Sequence, residues 1–194
     1  MVALGTAVLV VAGILLEQRL REQRLLSERD SANEEIRSLN EATVQLEIRS
    51  LNAALQFFVQ DESEYPGADQ KQFDEKTNHF PLLYNAILGR RRPKGPGGRN
   101  APYMKIDESK VRMWNRNTRL YKLPTRSQLR DDSVEKFLID PWDNPYIYRA
   151  NKGRSKKGFM HNVRHADLYS LGPNGINDTA EATEGEENDD IGNW

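Results

Sequence analysis

From Glu17 to Gln60 the chain has neither proline nor glycine, and Glu, Gln, Arg, Leu and Ala dominate. All five are good helix formers. Within this stretch Val44, Ile48, Leu51, Leu55 and Phe58 recur at intervals of four, three, four and three. That spacing draws one apolar face along a helix and predicts that its C-terminal half packs on something. Leu16 to Glu35 is far more charged, broken only by apolar residues such as Leu20, Leu25, Leu26 and Ala32. This part is expected to be solvated or packed against neighbouring copies. A continuous helix from Val2 to Gln60 would measure about 88 Å. No small core covers that length, so partners in a coiled coil, bundle or assembly are expected. The helix by itself fits equally a spacer for a head and a packing spine for a polymer.

The helix begins in "MVALGTAVLVVAGILL", sixteen residues without a charge. Their helical length is about 24 Å against a hydrocarbon core of about 30 Å. A secretory signal would carry a basic region before the run and a cleavage site after it. Here "EQRLREQRLL" follows instead. The expectation is a membrane anchor over 1–16, a helical stalk over 17–60 and a head over 61–194. Arg19, Arg21 and Arg24 follow the apolar run, which by positive-inside logic alone would put the head in the cytoplasm.

"DESEYPG" stops the helix, because Pro66 cannot continue it and restricts the residue before it. A short helix is expected over Phe80–Leu88, with Pro81 near its start. "GRRRPKGPGGRN" follows, an exposed loop with Arg90, Arg91, Arg92, Arg99 and Lys94. No aromatic residue is interleaved for stacking on bases. A solvated loop, or a basic contact with an acidic neighbour, is expected rather than nucleic-acid binding. "RLYKL", "PYIYRA" and "ADLYSLG" have the composition of short strands bounded by turns. They are expected to form an antiparallel sheet covered by the Val44–Phe58 face, giving an α+β head. "DPWDNPY" sets a tight turn before the second strand, with Trp142 packing beneath it.

Catalytic patterns are missing from the sequence. His161 and His165 lie four apart without an HExxH motif, and no GxSxG elbow or phosphate loop occurs. The chain has no cysteine, which excludes disulfides and thiolate metal sites. Net charge is -1, so no global field favours nucleic acid or membrane. An enzyme is not expected.

The sequence ends "LGPNGINDTAEATEGEENDDIGNW", with seven carboxylates and no basic residue from Asp178 to Asp190. Such a run repels itself. Ile191 and Trp194 behind it could tie the end to the head. Calcium, which takes oxygen ligands, would relieve the repulsion, with Asn174, Asp178, Asp189 and Asp190 as donors. The spacing does not match an EF-hand loop. An acidic solvated loop pinned by Trp194 is the other outcome these residues allow.

Five segments, in order, resemble the major pseudopilin family of type II secretion systems. They are "EIRSLNAALQFFVQDESEYPG" (47–67), "APYMKI" (101–106), "DPWDNPYIYR" (140–149), "ADLYSLGPNG" (166–175) and "DDIGNW" (189–194). The resemblance implies a pilin-like α+β fold. A membrane-inserted N-terminal helix would carry a small periplasmic head with a C-terminal calcium loop. Subunits of that family polymerise through their helices into a pseudopilus that drives protein export across the outer membrane. The implied setting is a single pass through the inner membrane, with other pseudopilins and inner-membrane secretion components as partners and no nucleic acid. The implied calcium donors are the carbonyl of Leu171, with Asn174, Asp189 and Asp190. Asp178, Glu186 or Glu187 is left as an extra ligand. The family's basic leader, its phenylalanine after the cut and its early glutamate would lie upstream of the sequence as it stands. Between the second and third segments runs an insertion, residues 107–139, which suggests a divergent subfamily. The alternative from another class is a non-polymerising, membrane-anchored periplasmic binding or scaffold protein with a pilin-like head.

Overall fold

A computed structural model describes residues 2–67, 78–99, 101–115, 118–150, 161–162, 165–177 and 188–194, with side chains from Glu17 onward. Helix α1 spans Val2–Glu62. It ends where Ser63 turns to φ 65°, ahead of Tyr65, Pro66 and Gly67. The chain divides into two compact units, Met1–Asn40 and Glu41–Trp194.

In the first unit the side chains from Glu17 to Leu39 are exposed. Apolar ones are no exception: Leu25 is 66 % and Leu39 61 % accessible. Arg21 and Glu17 form an i,i+4 ion pair at 3.0 Å, a pairing that supports a solvated helix. The apolar run over 1–16, which carries the membrane expectation, lies outside the described side chains. Among the described residues no helix is long and apolar enough to cross a membrane.

The second unit is the head. Val44, Ile48, Leu51, Leu55 and Phe58 are all buried, as their spacing predicts. The first four share a core with Phe80, Leu83 and Ile87 of α2 (Phe80–Ile87) and with Val111, Tyr146, Tyr148 and Leu168. Asn78 fixes α2 in place. Its Oδ1 accepts from the backbone N–H groups of Phe80 (2.9 Å) and Tyr148 (3.0 Å), while its Nδ2 donates to the Tyr146 carbonyl (2.8 Å).

The basic loop forms a small hairpin, β1 (Arg91–Arg92) and β2 (Gly95–Pro96). Lys94 pairs with Glu64 at 2.8 Å and Arg99 with Asp61 at 2.9 Å. Two of the loop's cations thus meet carboxylates at the end of α1, the contact with an acidic neighbour that its composition allowed.

The expected strands all form, but they belong to different sheets. A 3-10 turn (Glu108–Lys110) leads into β3 (Val111–Asn115), then β4 (Leu120–Lys122), α3 (Arg126–Arg130) and β5 (Lys136–Leu138). The antiparallel order β4-β3-β5 is built within the insertion. A second antiparallel sheet has the order β6-β7-β8, from Ile147–Ala150, Ala166–Ser170 and Ile191–Gly192. The single expected sheet divides because "RLYKL" finds its partner in β3, a strand of the insertion.

Candidate functional site

The C-terminal strand β8 brings the acidic end of the chain against the β7 end of the head. Tyr169 faces Gly192 and Ser170 faces Ile191 in the register. Asn193 secures this return. Its backbone N–H donates to the Leu168 carbonyl, and its Oδ1 accepts from the Leu168 N–H, both at 3.1 Å. Its Nδ2 donates to the Ala166 carbonyl at 3.1 Å and reaches Asn52 Oδ1 of α1 at 3.5 Å. One amide therefore repeats a strand's hydrogen bonding and ties it to the helix.

Trp194 then folds back over Gly192, where a Cβ would collide with the indole. The indole stacks on His161, with centroids 3.4 Å apart, and leans on Tyr169 at 5.5 Å. Burial holds the His161 imidazole below its ordinary value and pushes the Tyr169 hydroxyl up to about 12. Ile191 packs against the core. Both apolar residues behind the acidic run are thus docked on the head. The neighbouring histidine takes a different partner, with Nδ1 of His165 3.0 Å from the Tyr65 hydroxyl.

Beside this return lies the turn after β7. Gly172 has φ 63°, and a Cβ there would run into the backbone oxygen of Asp189. Only glycine meets both demands cheaply. The Asn174 N–H donates to Asp189 Oδ2 at 3.1 Å, and Asn174 Oδ1 accepts from the Ile176 N–H at 2.6 Å. Leu171, Asn174 and Asp189 are therefore on two segments held together. Asp190 lines a groove of about 510 Å³ with Arg49, Asn52 and Trp194. Asp178, Glu186 and Glu187 lie outside the described residues.

The "DPWDNP" turn supports that arrangement from behind. Asp140 is 4 % exposed. Its Oδ1 accepts from the N–H groups of Trp142 and Asn144 at 2.9 Å each, and its Oδ2 from the Ser170 hydroxyl at 2.5 Å. Ser170 Oγ in turn accepts from the Gly172 N–H at 3.0 Å. Asn144 Nδ2 donates to the Gly172 carbonyl at 2.9 Å. Burial raises the Asp140 carboxyl above its usual range despite these donors. Trp142 packs against the core from the same turn.

In chemical terms the donors of Leu171, Asn174 and Asp189 are carbonyl, amide and carboxylate oxygens, while among the described residues no group of three or more His, Asp or Glu is placed to hold a metal ion. A hard divalent cation suits such oxygen donors. Asp140, Asn144, Ser170 and Asn193 were not singled out by sequence reasoning. The turn-forming "DPWDNP" and terminal "GNW" segments were the available signals.

The architecture is α+β: a long N-terminal helix whose second half is packed in a head of small antiparallel sheets. Among solved structures, the chain is similar to the major pseudopilin from the type 2 secretion system of enterohaemorrhagic Escherichia coli. Identity is 19 % and the TM-score 0.42, over 84 % of this chain and 92 % of that one. No family model and no curated protein matches the chain.

Proposed function

We propose that this chain is a structural subunit, not an enzyme, of a type II secretion-like pseudopilus. It self-associates through its N-terminal helix into a filament that drives protein export across the outer membrane. Other pseudopilins and inner-membrane secretion components are its partners. It crosses the inner membrane once through the apolar run 1–16 and holds its head in the periplasm. The observation that carries this reading is the contrast along α1. Its second half buries an apolar face in the head, while Leu20, Leu25, Leu26, Ile36 and Leu39 stay exposed. Exposed leucines at this density favour helix partners.

Calcium is the proposed ion of the C-terminal loop. The Leu171 carbonyl and the side chains of Asn174, Asp178, Asp189 and Asp190 would hold it. The ion would neutralise the clustered carboxylates and tie the β7 turn to β8. The role is structural: it stabilises the folded end of the head.

Assembly is tested by cysteine crosslinking. Cysteine pairs introduced between Ala7 and Leu39 should give a ladder of oligomers in membranes with the other secretion components present. The cysteine-free wild type provides a clean background. Monomer alone at native expression would refute the filament and favour a membrane-anchored scaffold.

A further inference from the structure

The insertion, residues 107–139, has no part in the functions discussed so far, yet it builds one wall of a cavity of about 350 Å³. Arg126 and Arg130 of α3 line it, one helical turn apart. Arg90, following α2, lines it from the other side, with Tyr84 and Leu129 among the remaining walls. Arg90 is anchored there: its Nη1 donates to the Leu129 carbonyl at 3.0 Å and meets Asp132 Oδ1 at 3.4 Å. Arg126 and Arg130 are exposed and pair with no carboxylate among the described residues. Against these three guanidinium groups stands one lining carboxylate, Glu108. Behind Tyr84, fully buried Lys136 adds another cation, its Nζ 5.6 Å from the ring centroid.

Arg126 and Arg130 stand one turn apart on α3, and Arg90 faces them across the cavity. Residues i and i+4 on a helix place their side chains about 6 Å apart. Several arginines around one cavity suit a segment that carries several carboxylates. Guanidinium also suits carboxylate by its planar fork of donors. The sequence supplies such a segment, with seven carboxylates and no basic residue between Asp178 and Asp190. Net charge is only -1, since 28 basic residues nearly balance 29 acidic ones, yet the opposite charges are segregated along the chain. Two different complementary patches on identical copies make a heterologous contact, which gives a ring when the rotation closes and an open filament when it does not.

We infer that the arginine cluster of Arg90, Arg126 and Arg130 docks the acidic segment of a second copy of this chain. The inference rests on the proposed self-association, and because Asp178, Asp189 and Asp190 belong to the proposed calcium set, it draws on Glu181, Glu184, Glu186 and Glu187.

The test uses the full chain in membranes. One tagged population carries Arg130→Cys, and a second, with a different tag, carries Glu184→Cys. Oxidation should give a disulfide between the two tags, weaker as salt is raised. Adding Arg126→Glu to the first population should cut the yield at least fivefold. Adding Glu181→Lys to the second should then restore at least half of it. The stalk crosslinks between Ala7 and Leu39 are followed in parallel. A stalk ladder without the mixed disulfide overturns this contact while leaving assembly standing. Loss of both removes the assembly reading and the contact with it. A disulfide that ignores charge reversal also overturns it.

Discussion

The indole of Trp194 lies 3.4 Å from the imidazole of His161, with the two rings 12° from parallel. The last residue of the sequence is therefore a packed residue, although 48 % of its surface is open. Desolvation is the largest influence on His161 and holds its imidazole below the ordinary value of 6.5. Between that lowered value and 6.5, the unfolded chain binds more protons than the folded one. Stability supplied here is complete above 6.5 and falls as pH drops through the window. Tryptophan fluorescence should report the C-terminal end loosening on acidification from pH 7 to 5. Replacing His161 with Phe should remove this pH dependence and keep the stack. An unchanged profile in His161→Phe would place the titration elsewhere.

A second clamp joins α1 to the sheets. The Tyr146 hydroxyl donates to Glu47 Oε2 at 2.5 Å, and Lys110 pairs with Glu47 Oε1. Burial and this carboxylate push the Tyr146 hydroxyl far above its usual range, so it is the donor throughout the physiological pH range. Tyr146→Phe removes the donor and keeps the ring on Phe80, which it stacks at 6.4 Å. A hydrogen bond to a charged group contributes about 1.5–3 kcal/mol. Chemical denaturation of the head should show a loss of roughly that size with an unchanged slope. A loss below about 0.5 kcal/mol would mean that water replaces the phenol without cost.

Asp140 offers a test of how the "DPWDNP" turn holds the neighbouring loop. Its carboxyl is raised by burial. From the ordinary 3.8 up to that raised value the folded state binds more protons, so ionisation costs stability as pH rises and the cost is constant above it. The three donors to Asp140 offset this cost at neutral pH. Asp140→Ala leaves Trp142 N–H, Asn144 N–H and the Ser170 hydroxyl without their acceptor, each worth about 1–3 kcal/mol when buried. A drop of at least about 3 kcal/mol is expected by denaturation. Asp140→Asn keeps the shape and one acceptor, so its loss should be less than half as large. Equal losses would show that charge, not hydrogen-bond geometry, supports the turn.

Much of this architecture was legible in the residues. The Val44–Phe58 face was readable because buried positions on a helix repeat at 3.6 residues, and each of the five proved buried. The strand content of "PYIYRA" and "ADLYSLG" was equally clear, since aromatic and apolar residues cluster between turns. β3 was not, because "VRMWN" mixes arginine and asparagine into a short, half-buried strand. β5 was hidden by Lys136, which reads as surface but is fully buried, its ammonium donating to the carbonyls of Asp131 and Val134. At the candidate site, the acidic run suggested a cation from charge alone. The support from Asp140 and Asn193 depends on which backbone groups face them, and only tertiary pairing determines that.

The ion itself gives the remaining prediction. Gly172 and Asp189 approach so closely that two segments of the C-terminal loop meet beside Asn174. Without a cation, the carboxylates of the acidic run repel one another. A ligand that binds only the folded form adds stability by mass action. The head, from about residue 40 onward, should therefore melt higher with calcium than with chelator. Magnesium, which demands a tighter octahedral shell and dehydrates reluctantly, should substitute poorly. Asp190→Ala should remove most of the calcium-dependent difference, and Asp189→Ala should weaken it. Glu184→Ala should leave it nearly intact. Gly172→Ala, which strains the backbone at φ 63°, should lower the melting point in chelator as well as in calcium. Calorimetric titration of the folded head with calcium decides the assignment. No binding heat and no melting shift would leave the acidic run as charged surface, with Trp194 and Asn193 alone holding the end of the chain.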